Sequence, residues 1–169
     1  MNRRSILSFS ATILLVFALL PSSVAAQSIK DQIVGAWTFV SALDVHPDGR
    51  KDDRWGSNPK GVFIFDKTGR YAQFITRSDL PKVAGGRPDK GTADENKAIL
   101  SGLVASFGTY TVNEADKTVI TKVEGGSYPN LIGVEQKRVI TSLTADELKY
   151  SNPATSTGTR AEATWKRVK

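Results

Sequence analysis

The sequence predicts an all-β domain: an antiparallel, up-and-down barrel of eight strands, or slightly more, with one helix between the third and fourth. Three observations predict it. From Ile33 onward, short runs alternate apolar and polar residues, separated by Gly, Asp, Asn and Pro, as antiparallel strands with one buried face do. The runs succeed one another through hairpin turns, with no long Greek-key connection. The single long excursion, residues 78–106, carries a helical pattern instead. A sandwich is the competing architecture, and hairpin succession favours the barrel, whose closure removes exposed strand edges.

The first strand is Gly35 to Val45, with Trp37, Phe39 and Leu43 on one face. Asn58-Pro59-Lys60-Gly61 turns the chain into a second strand, Val62 to Phe65. Asp66-Lys67-Thr68-Gly69 reads as a tight hairpin, since Gly accepts the positive φ that closes it, and the third strand runs from Arg70 to Arg77. Ser78 to Thr92, rich in Pro, Gly and charge, reads as a long loop, the kind of segment that can serve as a lid. Asp94 and Glu95 then supply the acidic first turn that suits a helix N-terminus. Ile99, Leu100, Leu103 and Val104 recur at helical spacing, and Phe107-Gly108 ends the helix. One helix has no helical partner, so it is expected to cover part of the sheet.

Two further hairpins follow: Phe107–Asn113 with Lys117–Glu124, and Val134–Leu143 with Glu147–Ser151. After a Ser/Thr/Gly loop, Arg160 to Val168 closes the set, with Ala161, Ala163 and Trp165 facing inward. A barrel of about eight strands is wide enough either for packed side chains or for one small ligand.

Residues 1–26 read as an address. Arg3 and Arg4 precede an apolar run from Ile6 to Leu20, and Val24-Ala25-Ala26 places small residues where a signal peptidase reads. The run is shorter than the roughly 20 residues a membrane-spanning helix needs. The expected mature domain is 27–169, exported to a periplasm or secreted, with no stable membrane span after cleavage. Arg3-Arg4-Ser5-Ile6-Leu7 also fits a twin-arginine export signal. Of 23 basic residues, cleavage removes Arg3 and Arg4, leaving 21 against 17 acidic ones. The remaining charges alternate in sign, as in Asp48-Gly49-Arg50-Lys51-Asp52-Asp53-Arg54, which is no nucleic-acid-binding stripe.

The chain has no Cys and one His, His46. Disulfides, thiolate sites and multi-His metal sites are therefore excluded, and no cofactor or metal is expected. No phosphate loop or Gly-x-Ser-x-Gly elbow occurs, and no residue is assigned a catalytic role. His46, in the turn His46-Pro47-Asp48-Gly49, reads as an exposed turn histidine.

Several segments together resemble a known family. Gly35-Ala36-Trp37 matches the Gly-x-Trp at the start of the first lipocalin strand. Asn58-Pro59-Lys60-Gly61, Gly69-Arg70-Tyr71-Ala72-Gln73-Phe74, Ala93-Asp94-Glu95-Asn96-Lys97, Phe107-Gly108-Thr109-Tyr110, Val123 to Asn130 and Gly133 to Arg138 follow in order. Over roughly residues 31–168 the chain resembles the bacterial and fungal lipocalin-like domain family. The resemblance implies a small β-barrel and names no ligand. Secreted lipocalins usually carry a disulfide, which this chain cannot form, and many relatives have histidine where Thr121-Lys122-Val123 stands here.

The site residues follow from the strand faces. Tyr71, Gln73, Tyr110, Gln136, Arg138 and Tyr150 are the polar groups expected to bind a ligand on an apolar lining. If the face of Gln136, Arg138 and Ile140 points inward, the guanidinium needs an acceptor: Glu124, Asp66 or a ligand carboxylate. The alternative is an internal ion pair or an outward charge. Trp37 is either a cavity wall or, as Gly-x-Trp implies by resemblance, a plug under a basic side chain of the last strand. Arg167, on the face of Trp165, is placed to stack on it, so Trp37, Trp165 and Arg167 are the expected barrel-closing set. The function expected is binding of a small, largely hydrophobic or amphipathic molecule. The alternatives are a barrel isomerase, cyclase or dehydratase using a lumen Arg, Tyr or carboxylate, and a non-catalytic envelope interaction module with an exposed apolar patch.

Overall fold

Residues 27–155 and 158–169 are described by the computed structural model; the expected export segment, 1–26, lies outside the described residues. The strands are β1 Gly35–Val45, β2 Lys51–Asp52, β3 Lys60–Phe65, β4 Arg70–Thr76, β5 Leu103–Asn113, β6 Thr118–Gly126, β7 Glu135–Leu143, β8 Glu147–Asn152 and β9 Arg160–Arg167. From β3 to β9 each pairs antiparallel with the next in sequence, and β1 pairs with both β3 and β9. That last pairing closes eight strands into a barrel. β2, two residues long, extends only the far end of β1.

Alternation decides what faces in. In β4, Tyr71, Gln73 and Ile75 are buried while Ala72 and Phe74 are exposed. In β9, Ala161, Ala163 and Trp165 are buried. β1 departs from a single phase. Its register against β9 shifts between Phe39 and Ser41, and this bulge inserts one residue and exchanges the faces. Trp37 and Phe39 point inward before it, Ala42 and Asp44 after it, so Leu43 does not share the face of Trp37.

The β3–β4 hairpin is fixed by its turn. Gly69 has φ +88°, and the Asp66 carboxylate accepts from the N–H groups of Thr68 and Arg70, both at 2.8 Å, and from the Thr68 hydroxyl. The Arg70 N–H and then the Thr68 hydroxyl hold that carboxyl below its ordinary pKa.

Two α-helices flank the barrel ends. α1, Ile29–Ile33, is too short to leave a periodic signature in sequence. Its first N–H groups, Ile29 and Lys30, donate to the Glu114 carboxylate at 3.0 and 2.9 Å, so an anion from the β5–β6 turn meets the positive helix end. α2, Ala93–Ser101, opens with a capping box between Thr92 and Glu95. It stops at Gly102, before Leu103, because Leu103 already pairs with Thr76 of β4. The apolar spacing of Ile99, Leu100, Leu103 and Val104 thus straddles a helix–strand junction. α2 buries none of its residues, and Leu100 is 53% exposed. The helix stands at the barrel rim and does not cover the sheet. Among the described residues no helix is long and apolar enough to cross a membrane.

The core fills one end of the barrel. Trp37, Phe63, Phe65, Val119, Leu148 and Trp165 are almost wholly buried there, together with Ile33 of α1. Their rings pack edge to face or tilted: Phe63 lies 4.1 Å from Phe65 and 5.4 Å from Trp165, centroid to centroid, separations at which aromatic pairs attract beyond simple burial. On the outside, Val62 and Ile64 of β3, Phe74 of β4 and Phe107 of β5 are exposed, and Val62 registers against Phe74.

Candidate functional site

The opposite half of the barrel encloses a cavity of about 680 Å³, within the range of small-molecule sites. Phe39, Ala42, Ile75, Val123, Ala161 and Ala163 give it apolar walls. Its rim is built by the end of α2, by the 3-10 turn Pro129–Leu131 through Leu131 and its preceding Tyr128, and by the β1–β2 region with His46, Asp52, Arg54 and Trp55. None of residues 78–92 lines it; Leu100 and Ser101 stand at the mouth.

Arg138 occupies the inner part of this cavity. The β6–β7 register pairs Val119 with Arg138 and Thr121 with Gln136, and alternation turns Gln136, Arg138 and Ile140 to one face. That face is the inside: Arg138 is 3% exposed. One terminal guanidinium nitrogen donates to the Thr121 hydroxyl and to the Gln136 carbonyl. The other donates to Gln73 Oε1 at 3.1 Å and Gln136 Oε1 at 3.3 Å. Nε is buried with no partner. The guanidinium carbon lies 5.4 Å from the Phe63 ring centroid and 5.7 Å from that of Tyr150.

No carboxylate pairs with Arg138 among the described residues. Glu124, one expected partner, holds Arg70 at 2.7 Å. Asp66, the other, is engaged in its own turn. An internal ion pair and an outward-facing charge are therefore both overturned. The cavity does contain a carboxyl that alternation alone misplaces: Asp44, 9% exposed, is turned inward by the β1 bulge and has no side-chain partner among the described residues.

Four of the six residues expected to bind ligand, Gln73, Gln136, Arg138 and Tyr150, line this cavity together. Tyr71 and Tyr110 do not. Tyr71 packs 5.9 Å from Phe63 with its hydroxyl buried and unpartnered. Tyr110 packs edge to face on Phe65 and donates its hydroxyl to the Asp66 carbonyl at 2.7 Å. Burial, and then the nearby Asp66 charge, push the Tyr110 pKa up. His46 meets Asp52 at 2.7 Å on the rim.

Trp37, Trp165 and Arg167 lie at the filled end. The Arg167 guanidinium sits 4.1 Å from the Trp37 ring centroid. Its nitrogens donate to the carbonyls of Gln32, Val34 and Ala145, while Trp37 Nε1 donates to the Ile33 carbonyl at 2.9 Å. The carbonyls that end α1 are thus satisfied by Trp37 and Arg167. Gly35 makes room for this: it has φ +129°, and a Cβ there would lie 2.8 Å from an Arg167 nitrogen.

The family profile for lipocalin-like domains matches residues 34–168, nearly the whole described barrel. The chain belongs to the lipocalin-like domain family. Among curated proteins, no relative matches it. Solved structures similar to this lipocalin-like barrel include a lipocalin-like protein from Bacteroides uniformis, at 13% identity and TM-score 0.45, covering 81% of this chain and 99% of that one. A redesigned β-barrel is similar at 16% identity and TM-score 0.43, covering 85% and 100%. Bovine odorant-binding protein, in complex with a selenium-containing odorant, is similar at 16% and 0.43, covering 85% of this chain and 75% of that one.

Proposed function

We propose that this lipocalin-like protein is exported and binds a small, largely apolar molecule in its cavity. The observation that carries the reading is the contrast within one barrel: aromatic side chains pack one half, while the other half encloses about 680 Å³ with apolar walls and a few inward polar groups. Transfer of apolar ligand surface from water contributes about 25 cal/mol per Å², and the polar groups orient the guest. Export is supported by Arg3-Arg4, the apolar run and Val24-Ala25-Ala26; N-terminal sequencing of the protein from the cell envelope or medium is expected to begin at Gln27.

The binding reading is tested with a neutral fluorescent probe such as N-phenyl-1-naphthylamine. Saturable, one-to-one binding is expected, and Ala161→Trp, which fills the space near the mouth, is expected to weaken it at least tenfold while circular dichroism stays unchanged. A wild-type protein that binds neither this probe nor any extractable small molecule would overturn the reading.

One observation favours a second reading, catalysis of an isomerisation, dehydration or cyclisation. Asp44 places an unpaired carboxyl in the cavity that Arg138 and Tyr150 also line, the kind of group acid–base chemistry requires. It differs from binding alone in expecting two related small molecules to co-purify, with Asp44→Asn retaining only one of them.

A further inference from the structure

We infer that the cavity's guest is an amphipathic anion, a lipophilic monocarboxylate whose head group is held by Arg138. The inference rests on the cavity-binding reading and deepens it.

A guanidinium is charged at any physiological pH. Burying it without an anion is costly, and native chains normally pair such a group. Here Arg138 is 3% exposed and contacts only neutral acceptors: the Thr121 hydroxyl, the amide oxygens of Gln73 and Gln136, and the Gln136 carbonyl. Its Nε has no acceptor. The faces of Phe63 and Tyr150 add attraction for a cation but no countercharge. Both glutamines turn their oxygens to the arginine, and their amide nitrogens donate to nothing among the described residues. Gln73, Gln136 and Arg138 all line the cavity. The result is a charged fork flanked by two amide donors at the inner end of an apolar chamber. A carboxylate matches this donor set, because its two oxygens accept charge-assisted bonds from the guanidinium and from the amides.

The other charged groups lining the space sit toward the mouth. Asp52 is engaged with His46 and Arg50, at 2.7 and 3.8 Å, and Arg54 lies over Trp55. Asp44, unpaired, repels an acid that enters head-out and so favours the head-in orientation. The apolar tail then lies along Phe39, Ala42, Ile75 and Val123.

The test is a matched series on the purified protein: dodecanoic acid, dodecanol, methyl dodecanoate and dodecylamine, each displacing the neutral probe. The acid is expected to bind at least tenfold tighter than the alcohol and ester, and the amine weaker than either. In Arg138→Gln the preference for the acid over the alcohol, both measured on that variant, is expected to fall to within about twofold; Arg138→Lys is expected to restore part of the preference. Equal binding of acid, alcohol and ester by the wild type would overturn the anchor and leave the cavity reading standing. Failure of the neutral probe as well would overturn both. Should Arg138→Gln not fold, the wild-type series still decides, since an amine binding as tightly as the acid is incompatible with a cationic anchor.

Discussion

An arginine lies against aromatic rings in each half of the barrel, and the two are held in different ways. Arg167 stacks on Trp37, and every one of its nitrogens donates to a backbone carbonyl, two of them from the end of α1. Backbone carbonyls cannot leave, so this guanidinium is a fixed tie between β9, the β7–β8 turn and the N-terminal helix. Arg138 stacks on Phe63 and Tyr150, but its acceptors are mainly side chains, two of them amides on flexible stems, and Nε has none. Side-chain acceptors can be displaced by a better one. Residue type and aromatic setting are shared; the permanence of the acceptors separates the fixed tie at Arg167 from the anchor proposed at Arg138.

The comparison can be broken or sharpened by mutation. The largest effect is expected at the filled end, where Trp37→Ala should destabilise the fold by about 3–5 kcal/mol, as for large buried aromatics, read by chemical denaturation. Paired substitutions of the arginines come next and should differ in sign. Arg167→Met leaves several carbonyls without donors and is expected to cost about 1–3 kcal/mol. Arg138→Met removes a buried charge that has no carboxylate to orphan, and is expected to be neutral or stabilising by about 1–2 kcal/mol. Equal losses from both would mean that Arg138 is as structural as Arg167.

The smallest effect concerns pH. In the folded chain the N–H of Arg70, with the Thr68 hydroxyl, holds the Asp66 carboxyl below its ordinary range. A lowered folded-state value means that the carboxylate's contribution is complete above its unfolded value, near 4, and is lost as pH falls through the lower folded one. Asp66→Asn is therefore expected to lose a little stability at neutral pH and to show a shallower decline below about pH 4 than the wild type, measured by thermal unfolding across pH. A variant declining in parallel with the wild type would remove Asp66 from that account.

Much of this was legible in the sequence because alternation fixes which face of a strand is buried. Alternation puts Gln136 and Arg138 on one face of their strand and leaves open whether that face points inward; in the structure they meet Gln73 and Tyr150, the other polar strand candidates, in one cavity. Depth is another matter. Tyr71 lies two residues from Gln73 on the same face of β4, yet it packs against Phe63 and does not line the cavity, since period two is the same in every layer of the barrel. Asp44 escaped because a bulge is a single extra residue with no compositional mark, and it turns the even positions of β1 inward. The α2–β5 junction is masked in the sequence for a related reason: Ile99, Leu100, Leu103 and Val104 satisfy a helical period even though only the first two are helical. Arg138 was legible as a candidate, but whether a carboxylate stood beside it depended on pairings such as Arg70 with Glu124, which lie far apart in the chain.

The clasp around α1 has a practical corollary. Gln27, just ahead of that helix, and Val168, whose amide donates to the Ala36 carbonyl, both emerge beneath the packed aromatic base, on the side away from the rim. An affinity tag or a surface linker attached at either place would leave the entrance facing solution, so the molecule can be immobilised on a sensor chip without obstructing access to its interior.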